Sequence, residues 1–325
     1  MSATPVAVEV TRGGIVESRH RVAAAVAEPG GRVTARVGDA EVAIFPRSSV
    51  KPIQAVALIE TGAADGFGLG AAELALACAS HGGEPAHVDR VRAWLARLGL
   101  DETALACGAH PPTHKASARA LRAAGGAPSA VHNNCSGKHT AMLATAVHMG
   151  EPTAGYLDPA HPVQRRIRAV FEALTGTSLA EPGVDGCGVP NWPMSTATLA
   201  LAMANLIERP AATRLFAAMR AHPHLVAGTG RLDTALMTAR PDIVAKGGAE
   251  GVHVAVLPER RLAVAVKAED GAGRAADVAL LAMLEHLVGG IVDDARLAPF
   301  AHAPVRNVAG RVVGEIRPAP GWPAP

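Results

Sequence analysis

The stretch Arg261-Leu262-Ala263-Val264-Ala265-Val266-Lys267-Ala268 decides the fold class of this chain. Apolar residues run through it almost without interruption, which is typical of a central strand that is buried on both faces. Further strands are predicted by valine-rich runs bounded by glycine, at residues 6–10, 19–27, 40–45, 242–246, 251–257 and 312–316. The predicted strands therefore gather at the two ends of the chain.

The middle of the chain is predicted to be helical. Apolar residues recur there at intervals of three and four, with prolines at predicted starts and glycines after predicted ends. The predicted helices begin after Pro46 and cover residues 71–79, 84–98, 115–124, 137–149, 160–175, 196–207, 210–221 and 273–288. This order predicts an α+β fold, with one antiparallel sheet packed against a helical cluster. No long linker divides the sequence, so we expect a single domain over residues 1–325 with a loose tail at 318–325.

Composition excludes several classes of protein. Hydrophobic residues make up 49% of the 325 residues and charged residues 18%, which rules out a disordered chain. A formal net charge of +2 gives no field that would attract nucleic acid. The sequence has no apolar run long enough to span a membrane and no secretory signal, and its four cysteines are widely spaced. We therefore expect a cytoplasmic protein that binds neither nucleic acid nor membrane.

Lysine is scarce: only five of the 31 basic residues are lysine and the other 26 are arginine. One lysine lies in a Ser-x-x-Lys motif, Ser48 to Lys51, at a predicted helix start where residues three apart share a face. A serine hydroxyl needs a base to take its proton, and a lysine amine serves when its pKa is lowered, whereas arginine cannot. The motif predicts a serine–lysine nucleophile. The plain alternative is a capping serine followed by a solvated lysine.

A second serine and a second lysine would complete such a site. Ser80 and His81 lie in a polar, glycine-rich turn directly after an apolar run. Lys267 ends the predicted central strand, where we expect its side chain to point into a cleft. Lys246-Gly247-Gly248 competes for this role, because it resembles the Lys-Thr-Gly motif of penicillin-recognising enzymes. The residues alone leave the choice between the two lysines open.

Two cysteines lie in blocks rich in polar residues and glycine. Cys135 stands in HNNCSGKH (132–139) and Cys187 in DGCGVP (185–190). Two thiolates near nitrogen or oxygen donors can bind zinc, and a catalytic zinc takes three protein ligands. Spacing alone offers three residues as the third ligand: His132, His139 and Asp185. The alternative is a pair of buried cysteines in capped turns, since no Cys-x-x-Cys pair fixes a site.

Four blocks resemble those of the rhizobial-type, or class 3, L-asparaginases of the asparaginase II family. They are PRSSVKP (46–52), ACASH (77–81), HNNCSGKH (132–139) and DGCGVP (185–190), and the resemblance runs over roughly residues 5–318. It implies the fold of serine β-lactamases and their glutaminase relatives, and a homodimer. It also implies hydrolysis of L-asparagine to L-aspartate and ammonia through an acyl-enzyme, with a zinc site nearby.

The resemblance also implies roles for individual residues. Ser48 matches the nucleophile and Lys51 its base, while Ser80 and Lys267 match a second serine–lysine pair. The matching zinc ligands are Cys135, Lys138 and Cys187, so that Lys138 replaces the ligands that spacing offered. The remaining matched positions would bind substrate or support the ligands: Asp185, Arg47, His81, Asn134 and His139.

Two positions depart from the family pattern. Gly82 stands where a serine often follows the Ser-His pair, and Thr140 stands where alanine is common. Neither removes a catalytic atom, but both bear on pocket shape and substrate preference. The alternatives are therefore another amidase on the same scaffold, such as a glutaminase or a β-lactamase-like hydrolase, or a catalytically silent protein that binds an amino acid or zinc. Two serine–lysine pairs argue against the silent protein, which needs no nucleophile.

Overall fold

The computed structural model describes residues 3–323. Its strands are β1 (Val6–Arg12), β2 (Ile15–Glu28), β3 (Arg32–Val37), β4 (Ala43–Ile44), β5 (Gly183–Val184), β6 (Pro190–Asn191), β7 (Met194–Ser195), β8 (Val244–Gly247), β9 (Val252–Leu257), β10 (Leu262–Ala268), β11 (Ala303–Arg306) and β12 (Val312–Pro318).

The helices alternate with short 3₁₀ turns, of which Arg47–Val50 bears on the site. The α-helices are α1 (Lys51–Gln54), α2 (Val56–Glu60), α3 (Ala63–Gly66), α4 (Ala71–Ala77), α5 (Pro85–Arg97), α6 (Lys115–Ala123), α7 (Ser136–His148), α8 (Pro162–Thr175), α9 (Thr196–Leu206), α10 (Pro210–Ala221), α11 (Pro223–Ala227), α12 (Leu232–Ala239), α13 (Gly273–Val288) and α14 (Ala298–Ala301). Within residues 3–323, none of these helices is both long and apolar enough to cross a membrane.

The chain divides into two compact units, each assembled from separated segments. A sheet unit contains the described residues up to Ser49, Met194–Ile207 and the described residues from Ala235 onward. A helical unit contains Val50–Pro193 and Glu208–Thr234. Because the chain leaves and re-enters each unit, no single linker marks a boundary in the sequence. The expected single domain stays a prediction, and residues 324–325 of the predicted loose tail lie outside the described residues.

The sheet unit is built on an antiparallel sheet with the strand order β11-β12-β1-β2-β10-β9-β8, and β3 pairs with the second half of β2. Residues 22–27 of β2 and 263–266 of β10 are all buried, so these central strands are covered on both faces. Helices α9 and α13 pack against both strands. The α+β prediction, with one antiparallel sheet packed against helices, is thus confirmed.

The strand predicted at residues 40–45 is largely wrong. Only Ala43–Ile44 form a strand, β4, which pairs with β7. The strand that neighbours β2 there is β3, which the sequence analysis did not assign. Gly38, with φ +66°, turns the chain directly after β3, so the following residues leave the sheet. The signal of β3 is weak because it carries two arginines and its residues alternate between exposed and half-buried.

The helical unit is organised around α4 and α7. Helix α4 contacts α5, α7, α10 and α11, and α7 also contacts α2, α3 and α8. The two helices meet closely at Gly137, where a Cβ atom would lie 2.4 Å from the Leu76 carbonyl oxygen, so only glycine permits this approach. The packing brings the chain after α4, which contains Ser80, beside the start of α7, which carries Lys138.

Candidate active site

Ser48 lies in the single 3₁₀ turn directly before α1. The neighbouring Ser49 is buried, and its Oγ donates to the Pro46 carbonyl oxygen at 2.7 Å, so this hydroxyl stabilises the turn. Ser48 is half-exposed. Arg47 has φ +54°, which is uncommon for a residue other than glycine, and such strain concentrates at functional turns. The turn therefore leaves Ser48 as the serine that is available for chemistry.

The Lys246-Gly247-Gly248 segment lies against this serine turn. A Cβ atom on Gly248 would come within 2.9 Å of the Pro46 carbonyl oxygen and 3.2 Å of the Ser49 nitrogen. Glycine is therefore needed for the chain after β8 to approach the turn so closely. Lys246 itself, on edge strand β8, is only 1% exposed.

Lys267 lies on the central strand β10, as predicted, and is half-buried. Its Nζ donates to the carbonyl oxygens of Glu250 at 2.5 Å and Ala268 at 2.7 Å. Burial lowers the pKa of this amine, although nearby carboxylates oppose the shift. Lys246 pairs with Val254 of β9, and Lys267 pairs with Val252 of the same strand. Residues two positions apart on a strand face the same side, so both lysine side chains point to the same side of the sheet.

Lys51 begins α1 and is fully buried. Its Nζ donates to Ser80 Oγ at 2.8 Å, to Cys135 Sγ at 3.2 Å and to the Ala79 carbonyl oxygen. These three hydrogen-bond partners fix the position of the Lys51 amine. In this structure the Lys51 amine is therefore hydrogen-bonded to Ser80. The pair of Ser80 and Lys267 that the family resemblance implied stays a prediction.

The turn that carries Ser80 has no regular secondary structure and connects α4 to α5. Main-chain hydrogen bonds to distant segments hold it. The Ser80 N–H donates to the Val226 carbonyl oxygen at 2.8 Å, and the His81 N–H donates to the Asn134 carbonyl oxygen at 3.1 Å. The position of Ser80 therefore depends on segments far away in sequence.

The His81 side chain is buried and occupied on both sides of its ring. Its Nδ1 accepts a hydrogen bond from the Gly83 N–H at 3.1 Å, so Nε2 carries the proton, and it lies 2.9 Å from Ser136 Oγ. Burial keeps the pKa of His81 well below its usual range, and neighbouring cationic groups lower it further. His81 is therefore neutral and holds the turn.

Cys135, Lys138 and Cys187 lie together in the helical unit. Lys138 Nζ donates to Cys187 Sγ at 3.1 Å. A hydrogen bond from the Cys187 thiol lowers the pKa of Cys135 well below its usual range, and the charges of Lys51 and Lys138 add to this against the effect of burial. The same hydrogen bond, together with burial, raises the pKa of Cys187. The two thiols are therefore coupled to each other and to the Lys138 amine.

The donor set around Lys138 fits zinc. Burial disfavours charge on the Lys138 amine, but Cys187 and Cys135 outweigh burial and raise its pKa. Asp185 adds to this effect from the adjoining turn, where the Gly186 N–H donates to its Oδ1 at 2.8 Å. Two cysteine sulfur atoms are ligands that zinc prefers, the Lys138 amine would join them as a third donor in its neutral form, and all three side chains are buried.

Asn134 and His139 flank these ligands. The Cys135 thiol donates to the Asn134 side-chain oxygen Oδ1 at 2.9 Å. His139 is fully buried, and its Nδ1 lies 2.6 Å from the Tyr156 hydroxyl, which also accepts the Ala106 N–H. Burial keeps the pKa of His139 well below its usual range, and Lys138 and Lys51 contribute. Sequence analysis missed Tyr156, the single tyrosine of the chain, because no motif surrounds it.

A second group of metal-ligating residue types consists of Glu84, His87 and His224, whose ligand atoms lie within 4.8 Å of one another. The Nδ1 of His87 accepts the Glu84 N–H at 3.2 Å. Its Nε2 lies 2.8 Å from the His224 carbonyl oxygen, which can only accept, so Nε2 carries the ring proton. Both ring nitrogens of His87 are therefore engaged, and neither has a lone pair for a metal. The rings of His87 and His224 are also stacked, with 19° between their planes, so their in-plane lone pairs do not converge. This arrangement is a hydrogen-bonded cluster and is poorly shaped for a metal.

Comparisons with known proteins complete the description. Residues 8–318 match the family model of L-asparaginase II. The native form of the protein Mglu is 16% identical, with a TM-score of 0.48, and the match covers 90% of this chain and 70% of that one. The tris and glutamate form of Mglu is 16% identical, with a TM-score of 0.49, and the match covers 90% of this chain and 64% of that one. A beta-lactamase from Mycobacterium bovis is 17% identical, with a TM-score of 0.33, and the match covers 78% of this chain and 89% of that one.

A search of the curated proteins found no match to this chain. The family model, however, spans nearly all of the 325 residues, and its matched range contains every candidate site residue. The chain therefore belongs to the L-asparaginase II family, whose members are asparaginase-type amidohydrolases.

Proposed function

We propose that this protein is an L-asparaginase that hydrolyses L-asparagine to L-aspartate and ammonia by serine–lysine acyl transfer. The observation that carries the proposal is the buried Lys51 amine, 2.8 Å from Ser80 Oγ and three residues after the half-exposed Ser48. A serine nucleophile needs a nearby group that can take its proton, and a lysine amine can do so in its neutral form, which arginine cannot. Membership of the family supports the reaction class.

The reaction proceeds in two acyl-transfer steps. Ser48 Oγ attacks the side-chain amide carbon of asparagine, and the neutral Lys51 amine takes the hydroxyl proton. Main-chain N–H groups of the turn before α1 stabilise the oxyanion. The amide nitrogen receives a proton through Ser80 and leaves as ammonia, so an ester remains on Ser48. Water then hydrolyses the ester, releases aspartate and restores the serine hydroxyl.

Lys246 is better supported than Lys267 as the second amine. Lys246 is 1% exposed on the strand whose end abuts the Ser48 turn, and its Nζ donates to the carbonyl oxygen of the adjacent Gly247. Lys267 is half-buried and donates to the carbonyl oxygens of Glu250 and Ala268. We expect Lys246→Met to lower kcat by about 100-fold or more, and Lys267→Met by less than about tenfold, in a steady-state ammonia assay. The opposite ranking would restore the assignment of Lys267 that the family resemblance implied.

Zinc is the proposed metal, held by Cys135, Lys138 and Cys187. When bound, it supplies a fixed positive charge that orients or polarises the substrate. Protein purified without chelator is expected to contain about one zinc per chain by elemental analysis, and Cys187→Ala is expected to lose it. Cys107→Ala is the matched control, since Cys107 is also buried but its thiol donates to the Ala130 carbonyl oxygen. A zinc-free wild type with full activity would make Cys135 and Cys187 ordinary core residues.

Substrate class is tested by comparing ammonia release from asparagine and glutamine with hydrolysis of a chromogenic β-lactam. We expect kcat/KM to be highest for asparagine, by about tenfold or more over glutamine. Faster ammonia release from glutamine would identify a glutaminase, and turnover of the β-lactam alone would identify a β-lactamase-like hydrolase. Binding of asparagine or zinc without any turnover would favour the silent binding protein.

The family resemblance also implies a homodimer, and the sequence predicts a cytoplasmic location. Both stay predictions. Light scattering of the purified protein tests the first, and fractionation of the native cells tests the second.

A further inference from the structure

We propose that Glu84 is a positioning residue that fixes the Ser80 turn by holding the segment of residues 224–229. The inference rests on the proposed function for its kinetic consequence, whereas its structural part stands independently. Sequence analysis assigned no role to Glu84 or to this segment. We call Glu84, His87, His224 and Thr229 the brace.

The brace is centred on the Glu84 carboxylate, whose side chain is only 11% exposed. Its Oε1 accepts the Thr229 N–H at 2.8 Å, and its Oε2 accepts the Thr229 hydroxyl at 2.8 Å. His224 Nε2 lies 3.3 Å from the same Oε2. One carboxylate therefore holds both the main chain and the side chain of Thr229.

Gly228 lets the segment come this close to Glu84. It has φ +94°, which residues with a Cβ rarely adopt. A Cβ atom there would also lie 2.5 Å from Glu84 Oε1 and 3.2 Å from the Gly82 nitrogen. The segment therefore lies directly on the turn that follows Ser80.

Two further hydrogen bonds join the segment to the start of α5 and to the Ser80 turn. His87 Nε2 donates to the His224 carbonyl oxygen at 2.8 Å. The Ser80 N–H donates to the Val226 carbonyl oxygen at 2.8 Å. Ser80, the donor of this second bond, also accepts a hydrogen bond from the Lys51 amine at its Oγ. Releasing Thr229 from Glu84 therefore frees the segment that holds Ser80 against Lys51.

The chemistry of the contact requires a carboxylate. Burial raises the pKa of Glu84, but the two hydrogen bonds from Thr229, with smaller contributions from His224 and His114, outweigh burial and lower the net pKa. Thr229 presents two donors, so a glutamine at position 84 would place its own NH₂ donors against one of them. A buried donor that loses its acceptor destabilises the contact, and glutamine can satisfy only one of the two.

The kinetic arm of the test compares variants at the brace with a matched control. We expect Glu84→Ala to lower kcat for asparagine by about 10- to 100-fold, because displacements of about 1 Å cost up to 10²-fold, while KM stays within about threefold. Thr229→Val should show part of this loss, and Thr229→Ser, which keeps the hydroxyl, should restore most of it. Glu151→Ala is the control, since Glu151 is 14% exposed and binds Arg166 in the same unit.

The structural arm is hydrogen–deuterium exchange of wild type and variants, which needs no turnover. Glu84→Ala should accelerate exchange of the Ser80 amide by about tenfold or more, and Glu151→Ala should leave it unchanged at a similar melting temperature. Unchanged exchange at Ser80 in Glu84→Ala overturns the inference, as does an equal loss of kcat in Glu151→Ala. A wild type that does not hydrolyse asparagine overturns the proposed function instead, and the exchange result still decides whether the brace exists.

Discussion

Replacing Ser48 with alanine is expected to lower kcat for asparagine hydrolysis by about 10⁴-fold or more. Without Oγ no acyl-enzyme forms, and only substrate binding and oxyanion stabilisation remain to accelerate direct attack by water. The measurement is steady-state ammonia release, supported by mass spectrometry of protein quenched during turnover, which should detect the ester in wild type only. Near-normal ammonia release from Ser48→Ala would refute the nucleophile.

Ser49→Ala is the matched control, because it removes a hydroxyl from the adjacent residue of the same turn. Ser49 Oγ donates to the Pro46 carbonyl oxygen, so its loss should lower the free energy of unfolding by about 1 kcal/mol and leave kcat within about tenfold. Ser80→Ala shows which of the two serines, Ser48 or Ser80, is the nucleophile, a choice that the sequence does not decide. If Ser80→Ala abolished the covalent ester and Ser48→Ala did not, Ser80 would be the nucleophile.

Much of the fold was predictable because local signals and long-range packing agree. Helices α4 to α10 begin or end within a few residues of the predicted positions, since proline starts, glycine ends and apolar spacing describe the same segments. The run at residues 262–268 is central because both of its faces are covered. The prediction at residues 40–45 is largely wrong because an apolar composition alone does not specify a strand. The backbone turns at Gly38, and within this segment only β4 pairs with another strand, β7.

The candidate site was predictable only as separate blocks. Their spacing predicts that Ser48 and Lys51 lie at one helix start. Spacing also predicts His139 as a possible zinc ligand, whereas the structure places the His139 Nδ1 2.6 Å from the Tyr156 hydroxyl. The pairing of Ser80 with Lys51 was also hidden, since the two residues are 29 positions apart and no local pattern links them. The family resemblance supplied Lys138, for which no spacing rule exists.

Contacts that span long sequence separations left no readable signal. Glu84 and Thr229 are 145 residues apart, and nothing near Glu84 indicates its partner. The nearest hint is the run Gly228-Thr229-Gly230, in which a hydroxyl between two glycines marks a tight, polar turn. Such a pattern indicates a turn but not what it packs against, so the brace required the three-dimensional structure.

Lys51→Arg is expected to be nearly as damaging as Lys51→Met, with kcat for asparagine lowered by about 10³-fold or more in both variants. The base must be neutral when it takes the Ser48 proton, and a guanidinium stays charged at any working pH, so retaining the positive charge does not retain the function. Both variants are assayed for ammonia release, and their melting temperatures and zinc content are measured alongside. These controls are needed because the Lys51 side chain is fully buried, and a larger group there lowers the free energy of unfolding by about 1–3 kcal/mol. Lys51→Met has a side chain of similar volume and no charge, so a folded, zinc-loaded and inactive Met variant isolates the loss of the amine. An arginine variant with substantial activity would show that a fixed charge beside Ser80 suffices, and it would exclude Lys51 as the base.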